Sequence, residues 1–232
     1  MKERPILFSA PMVRAILSGV KTQTRRVYKP KPGFPFQDGE ITPTTQDSWM
    51  EWGPCPYGEH GDRLWVKETW NYQGWSSVWE NGGRRPYDEL FVKYRADDVE
   101  RTIHRKPDDN HGLPKQRARR QGEDEEAYND YLTQFWRKWT PSIFMPRDVS
   151  RITLEIVSVR VERLQDISEG DAVAEGCEMG DDGFPALQPN PRGGHDGWDS
   201  AADWYAWLWE SINGAGSWDA NPWVWVVEFK RI

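Results

Sequence analysis

The sequence is short of the residues that define several protein classes. Two cysteines in 232 residues, Cys55 and Cys177, make no disulfide framework and no CxxC pair. Both are expected as thiols, with a single bridge between them as the alternative. Long apolar runs are also missing. The longest aliphatic stretch, Ile152 to Val161, is interrupted by polar residues and falls short of the roughly 18 apolar residues of a membrane span. Met1 to Phe8 contain no apolar segment long enough for a secretion signal, so the expectation is a cytoplasmic protein without a membrane partner. Leu, Ile, Val and Phe number only 43 of 232 residues, a share that signals disorder when net charge is high.

Charge and aromatic content point the other way. Net charge is only −7, and 15 Trp with 8 Tyr supply large apolar areas that disordered chains lack. The chain is therefore read as folded, with a core that leans on tryptophan. The net charge averages two unlike ends. Residues 1–36 carry eight Lys or Arg against Glu3, whereas residues 162–232 carry 14 acids against four bases. A phosphate-bearing ligand would favour the first region, although scattered charges usually only solvate a surface.

Pro11 to Leu17, closed by Gly19, predicts a short helix with Leu7, Phe8, Val13, Ile16 and Leu17 toward the core. Lys21 to Val27 predicts a strand with Thr22, Thr24 and Arg26 on one face. Residues 28–62 hold six prolines and read as loop. The Gly61-Asp62 turn leads into a strand over 63–70, with Leu64, Val66 and Glu68 on one face and Trp65, Lys67 and Thr69 on the other. Residues 71–140 change character and resemble an insertion, with a helix near 124–138. A strand over 151–163 changes its alternation phase, which predicts a bulge near 156–157. Ser168 caps a short helix with Asp171 in the capping-box position, running to Gly176. Residues 178–200 are rich in Gly, Pro and Asp. Asp199 or Ser200 starts a helix carrying Trp204, Trp207, Leu208 and Ile212 that ends at Asn213-Gly214, and 223–230 alternate as a last strand. The sum is an α+β chain: one domain, 1–232, built on a small β-barrel with short flanking helices and insertions near 28–60, 71–140 and 178–200.

Other chemistry ranks lower. Cys55, His60 and Cys177, with His104, His111 or His195, lack zinc-site spacing, and the glycine runs at 180–183 and 193–197 neither follow a strand nor open a lysine-bearing phosphate loop. No metal or cofactor is expected. Trp65, Trp70, Trp75 and Trp79, close to Arg63, Lys67, Arg84 and Arg85, would offer stacking surfaces for unpaired bases, although most tryptophans in such a chain pack a core.

Five pieces occur in a telling order: Ile16-Leu17-Ser18-Gly19, then Lys21-Thr22-Gln23-Thr24-Arg25-Arg26, Gly61-Asp62-Arg63-Leu64-Trp65-Val66, Ala172-Val173-Ala174-Glu175-Gly176 and Val226-Val227-Glu228-Phe229. Together they resemble the ASCH domain family, whose small β-barrel is related to the PUA domain, and in particular its longer phage and prophage members. The resemblance spans about half the chain. It implies association with RNA or a modified nucleoside. In short members of the family, the residues matching Lys21, Thr24 and Glu175 serve an amidohydrolase that removes the acyl group from N4-acetylcytidine; RNA binding and, less strongly, ribonuclease activity are ascribed to others. The same reading makes Thr22, Arg25, Arg26, Trp65, Lys67 and Glu68 substrate or nucleic-acid contacts. It also leaves open a phage accessory protein whose 71–140 insertion contacts a phage or host protein, in a bacterial host cytosol.

The chemistry of the trio is sound. A threonine hydroxyl needs a base, and a desolvated lysine is one; a glutamate can protonate the leaving amine or orient the lysine, and Arg26 could hold a phosphate or oxyanion. A regular strand over 21–26 would set Lys21 and Thr24 on opposite faces, so the catalytic reading needs Lys21 in the turn after Gly19.

Overall fold

The computed structural model describes residues 1–29, 53–80, 84–106, 120–181, 183, 185 and 198–232. The glycine run 193–197, His111, His195 and most of the 28–60 and 178–200 insertions lie outside the described residues, as do the side chains of Trp75 and Trp79. Among the described residues the helices and strands run, in chain order, β1 (Glu3–Leu7), α1 (Ala10–Leu17), β2 (Gln23–Val27), β3 (Arg63–Lys67), β4 (Trp70–Glu80), β5 (Arg84–Tyr94), β6 (Glu100–Arg105), α2 (Glu125–Arg137), β7 (Thr153–Arg163), α3 (Glu169–Ala174), α4 (Ala201–Asn213) and β8 (Trp223–Arg231). The α+β class is as expected. The chain divides into two compact units: Met1–Arg4, Ala15–Trp65 and Ile152–Ile232 form one, and Pro5–Arg14 with Val66–Arg151 the other.

A five-stranded sheet has the order β1-β3-β7-β8-β2. Its ladder ends at β1 on one side and β2 on the other, so among the described residues it does not close into the expected barrel; closure would need these two edge strands to bond to each other. Central β8 is buried on both faces, which explains its unbroken Val224-Trp225-Val226-Val227 run. In β7 the register against β8 slips between Ile156 and Ser158, the bulge that the phase change predicted, and it turns Val157 out to solvent.

Tryptophan does fill the core of the first unit. Ser200 caps α4, its hydroxyl accepting from the Asp203 N–H at 3.0 Å. The helix then buries Trp204, Tyr205 and Trp209 against Leu164, Ile167, Ala172, Val224 and Val226. On the same helix Ile212 is exposed in the last turn, next to the terminal Asn213.

The second unit contains more regular structure than its sequence suggests. β4, β5 and β6 form a three-stranded antiparallel sheet. Trp70, Tyr72, Leu90, Val92, Tyr94, Ile103, Met145 and Val149 form its core. The helix expected near 124–138 is α2. The strand expected to run to residue 70 stops at Lys67, and Trp70 opens β4 instead. Leu7 is also corrected: alternation along β1 buries Ile6 and leaves Leu7 44% exposed. No helix among the described residues is long and apolar enough to cross a membrane.

Candidate functional site

The site lies in the first unit, where the chain leaves α1 and enters β2. Gly19, at φ +82°, reverses the chain, and the Lys21 N–H donates to the Ala15 carbonyl at 2.9 Å. Lys21 therefore precedes β2, in the turn that the catalytic reading requires. The next amide, Thr22, donates to the Ala174 carbonyl at 2.8 Å and fastens this turn to the end of α3. That helix is built as the sequence predicts. The Ser168 hydroxyl accepts from the Asp171 N–H at 3.1 Å, Glu175 is the C-terminal cap, and Gly176 follows at φ +112°. A Cβ on Gly176 would lie 3.2 Å from Ala15 Cβ and 3.5 Å from Lys21 Cβ, so glycine is what lets α3 end against Lys21.

The result is a buried ion cluster. Lys21 Nζ donates to Glu175 Oε2 at 2.7 Å and to the Glu175 carbonyl at 2.8 Å, and the lysine side chain has no solvent exposure. Burial pushes the Lys21 amine below its ordinary value; Glu175 opposes the shift, while the charges of Arg26 and Arg25 reinforce it. Glu175 Oε1 accepts from Arg25 Nη1 at 3.3 Å. The same guanidinium donates through Nε to Glu162 Oε1 at 3.1 Å and through Nη2 to Asp171 Oδ2 at 3.1 Å. Burial works against the Arg25 charge, but Glu175 and Glu162 outweigh it and hold the guanidinium above its ordinary value. Arg160 grips the far side of the same carboxylates: Nε reaches Glu162 Oε2 at 3.0 Å, Nη2 reaches both Asp171 oxygens at 3.2 Å, and Nη1 reaches Glu228. Gln23 completes the hold on Asp171, its amide donating to Oδ1 and to the backbone carbonyl, each at 3.0 Å. The Tyr205 ring lies 5.8 Å from the Arg25 guanidinium carbon, and burial, helped by Glu175, raises its phenol well above the ordinary value.

No family model, curated protein or solved structure matches this chain.

Of the expected trio, Lys21 and Glu175 are brought into contact. Thr24 is buried in β2 opposite Val227, between Gln23 and Arg25, whose side chains both reach Asp171; the pleat turns Thr24 to the other face of the sheet. Thr22 is exposed. Arg25 differs most from expectation. As a nucleic-acid contact it needs a free surface, yet its side chain is fully buried and shared by three carboxylates. Arg26 is half-buried on the Thr24 face. Trp65 and Lys67 are half-buried, and Lys67 Nζ donates to the Ile143 carbonyl. Glu68 belongs to the second unit and is buried there, its two oxygens held by Arg151 Nε and Nη2 at 2.9 and 3.0 Å, so it borders no open surface. Trp70 is 1% exposed, which removes it as a stacking platform.

The sequence reading missed Gln23, Arg160, Glu162 and Tyr205 as members of the site, and took Asp171 only as a capping residue. One signal was present: Lys21, Gln23 and Arg25 recur at every second position, a polar face on a segment destined for a core. Both cysteines are free and buried; burial pushes each thiol up, Cys177 to about 11, which suits unreactive core residues. Among the described residues no cluster of His, Cys, Asp or Glu is placed to hold a metal.

Chemically, the cluster offers one buried amine, shifted below its ordinary value by burial, in contact with one carboxylate. Such a pair can accept a proton from an attacking hydroxyl and pass it to a leaving nitrogen.

Proposed function

We propose that this chain is an ASCH-like protein acting on a modified nucleoside, and that it hydrolyses the N4-acyl amide of N4-acetylcytidine-type substrates. In this reading the five-stranded sheet is the counterpart of the PUA-related barrel of that family. The observation that carries it is the Lys21–Glu175 contact of 2.7 Å, buried and made between two residues that the ordered sequence pieces single out. Unprotonated Lys21 takes the proton of the attacking hydroxyl. The acyl carbon–N4 bond breaks, and the proton crosses the Lys21–Glu175 contact to N4, which leaves as the exocyclic amine. Water completes the balance, giving a free carboxylate and cytidine.

Incubation with N4-acetylcytidine, with cytidine and acetate followed by chromatography, tests the reading. Turnover is expected, with kcat falling about 100-fold or more in Lys21→Ala and Glu175→Gln. The acidic limb of the pH profile, where protonation of Lys21 removes the base, should have its midpoint below the ordinary lysine value of 10.5, since burial favours the neutral amine. Absence of turnover in the wild type, or full activity in Lys21→Ala, overturns the mechanism. Because Thr24 faces away from Gln23 and Arg25, Thr24→Val identifies the nucleophile. Loss of turnover assigns the attack to the Thr24 hydroxyl and an acyl-threonine step, whereas retention assigns it to water activated directly by Lys21.

A further inference from the structure

Glu175 divides its carboxylate between two cations, Oε2 facing Lys21 at 2.7 Å and Oε1 facing Arg25 at 3.3 Å. An ammonium touching one oxygen cannot fix the plane of a glutamate carboxylate, whose terminal torsion is broad and roughly two-fold. A second cation on the other oxygen can. The side chain that supplies it is itself fixed. Arg25 commits Nε to Glu162 and Nη2 to both Glu162 and Asp171, which leaves Nη1 alone for Glu175. Glu162 and Asp171 are in turn held by Arg160, and Asp171 also by Gln23, so the anchors cannot follow Glu175 if it moves. A planar guanidinium with its donors in a rigid fork suits this task, whereas an ammonium in its place keeps the charge and loses the fork.

We propose that Arg25 is the positioning residue of the Lys21–Glu175 pair: anchored by Glu162 and Asp171, its guanidinium holds Glu175 Oε1 so that Oε2 alone is presented to the Lys21 amine. The proposal rests on the reading of Lys21 and Glu175 as the working pair. It gives Arg25 a role in the site without contact to the substrate, and it makes Glu162, at the opposite end of the guanidinium from Glu175, part of the same device.

The experiment uses full-length protein with 13Cε-labelled lysine, in which the Lys21 signal is identified by its loss in Lys21→Met. Its titration is followed in the wild type, Arg25→Lys and Glu162→Gln, alongside N4-acetylcytidine kinetics. Arg25→Lys keeps the charge, so a changed titration there reports the lost fork. The expected result is a Lys21 midpoint displaced by about half a pH unit or more in both variants. Where the wild type turns over, kcat should fall about tenfold or more while KM stays within about threefold. Variants that are less stable but titrate and turn over like the wild type would make Arg25 a structural brace and overturn the proposal. If the wild type lacks turnover, the hydrolase reading fails while the titration still decides the positioning role. Should Arg25→Lys not fold, Glu162→Gln carries the same comparison.

Discussion

At the scale of single residues, the cluster around Lys21 couples charge to stability. Asp171 shows the sign most plainly. Burial alone would raise its carboxyl, but the Gln23 amide and the Arg25 and Arg160 guanidiniums outweigh it and hold the group below the ordinary aspartate range. A carboxyl depressed in the folded state stabilises fully above its unfolded value, near pH 3.9, and that contribution is lost as pH falls through the lower folded value. Urea unfolding of the wild type and Asp171→Asn from pH 6 to pH 3 should therefore show a gap that is widest near neutrality and closes toward pH 3; a gap that widens on acidification would contradict the assignment. Lys21 and Glu175 were nominated by the resemblance of the ordered sequence pieces; local pattern gave only their contexts, a helix-Gly turn and a capped short helix, in which a lysine and a glutamate read as surface charges. Arg25 was legible only as a charge. Its removal from solvent depends on Glu162, Asp171 and Glu175, all more than a hundred residues away in sequence, and no local pattern announces that meeting.

At the scale of elements, α3 is the piece that brings the site together. It has only six residues, too few to be stable by itself, and it is held by its Ser168 cap, the Thr22 amide and the Asp171 contacts. Gly176→Ala should strain a φ of +112° and press a methyl to 3.2 Å from Ala15 Cβ, lowering stability by about 1–3 kcal/mol in urea unfolding and weakening the Lys21–Glu175 contact with it. A substitution without measurable cost would mean that the turn relaxes freely. The capped starts of α3 and α4 and the β7 bulge could be read from sequence, since each follows from side chains within a few residues of one another. The β4-β5-β6 sheet was read as an insertion with a single helix. Leu90, Val92 and Tyr94 alternate as a strand should, but the bulge between Tyr72 and Gly74 breaks the period of β4 and hides its pairing.

For the molecule as a whole, composition pointed to the nature of the core. A chain poor in aliphatic residues has to bury what it has in quantity, and Trp204, Tyr205 and Trp209 pack one core while Trp70, Tyr72 and Tyr94 pack the other. Trp209→Ala should cost about 3–5 kcal/mol in denaturant unfolding of the full chain, with loss of near-ultraviolet dichroism; a cost under about 1 kcal/mol would show that the aromatic cluster contributes little. By itself the sequence determined the α+β class, most element positions and the tryptophan-based core, because capping, alternation and composition act over short stretches of chain; Lys21 and Glu175 were nominated by the resemblance of the ordered pieces. Tertiary structure alone decided that the five-stranded sheet stays open among the described residues, that Arg25 is enclosed by carboxylates, that Thr24 faces away from Gln23 and Arg25, and that residues 66–151 supply most of a second core. Each of these depends on which distant segments pair or pack, and pairing between strands as far apart as β2 and β8 is settled by the burial of both at once, not by the residues of either.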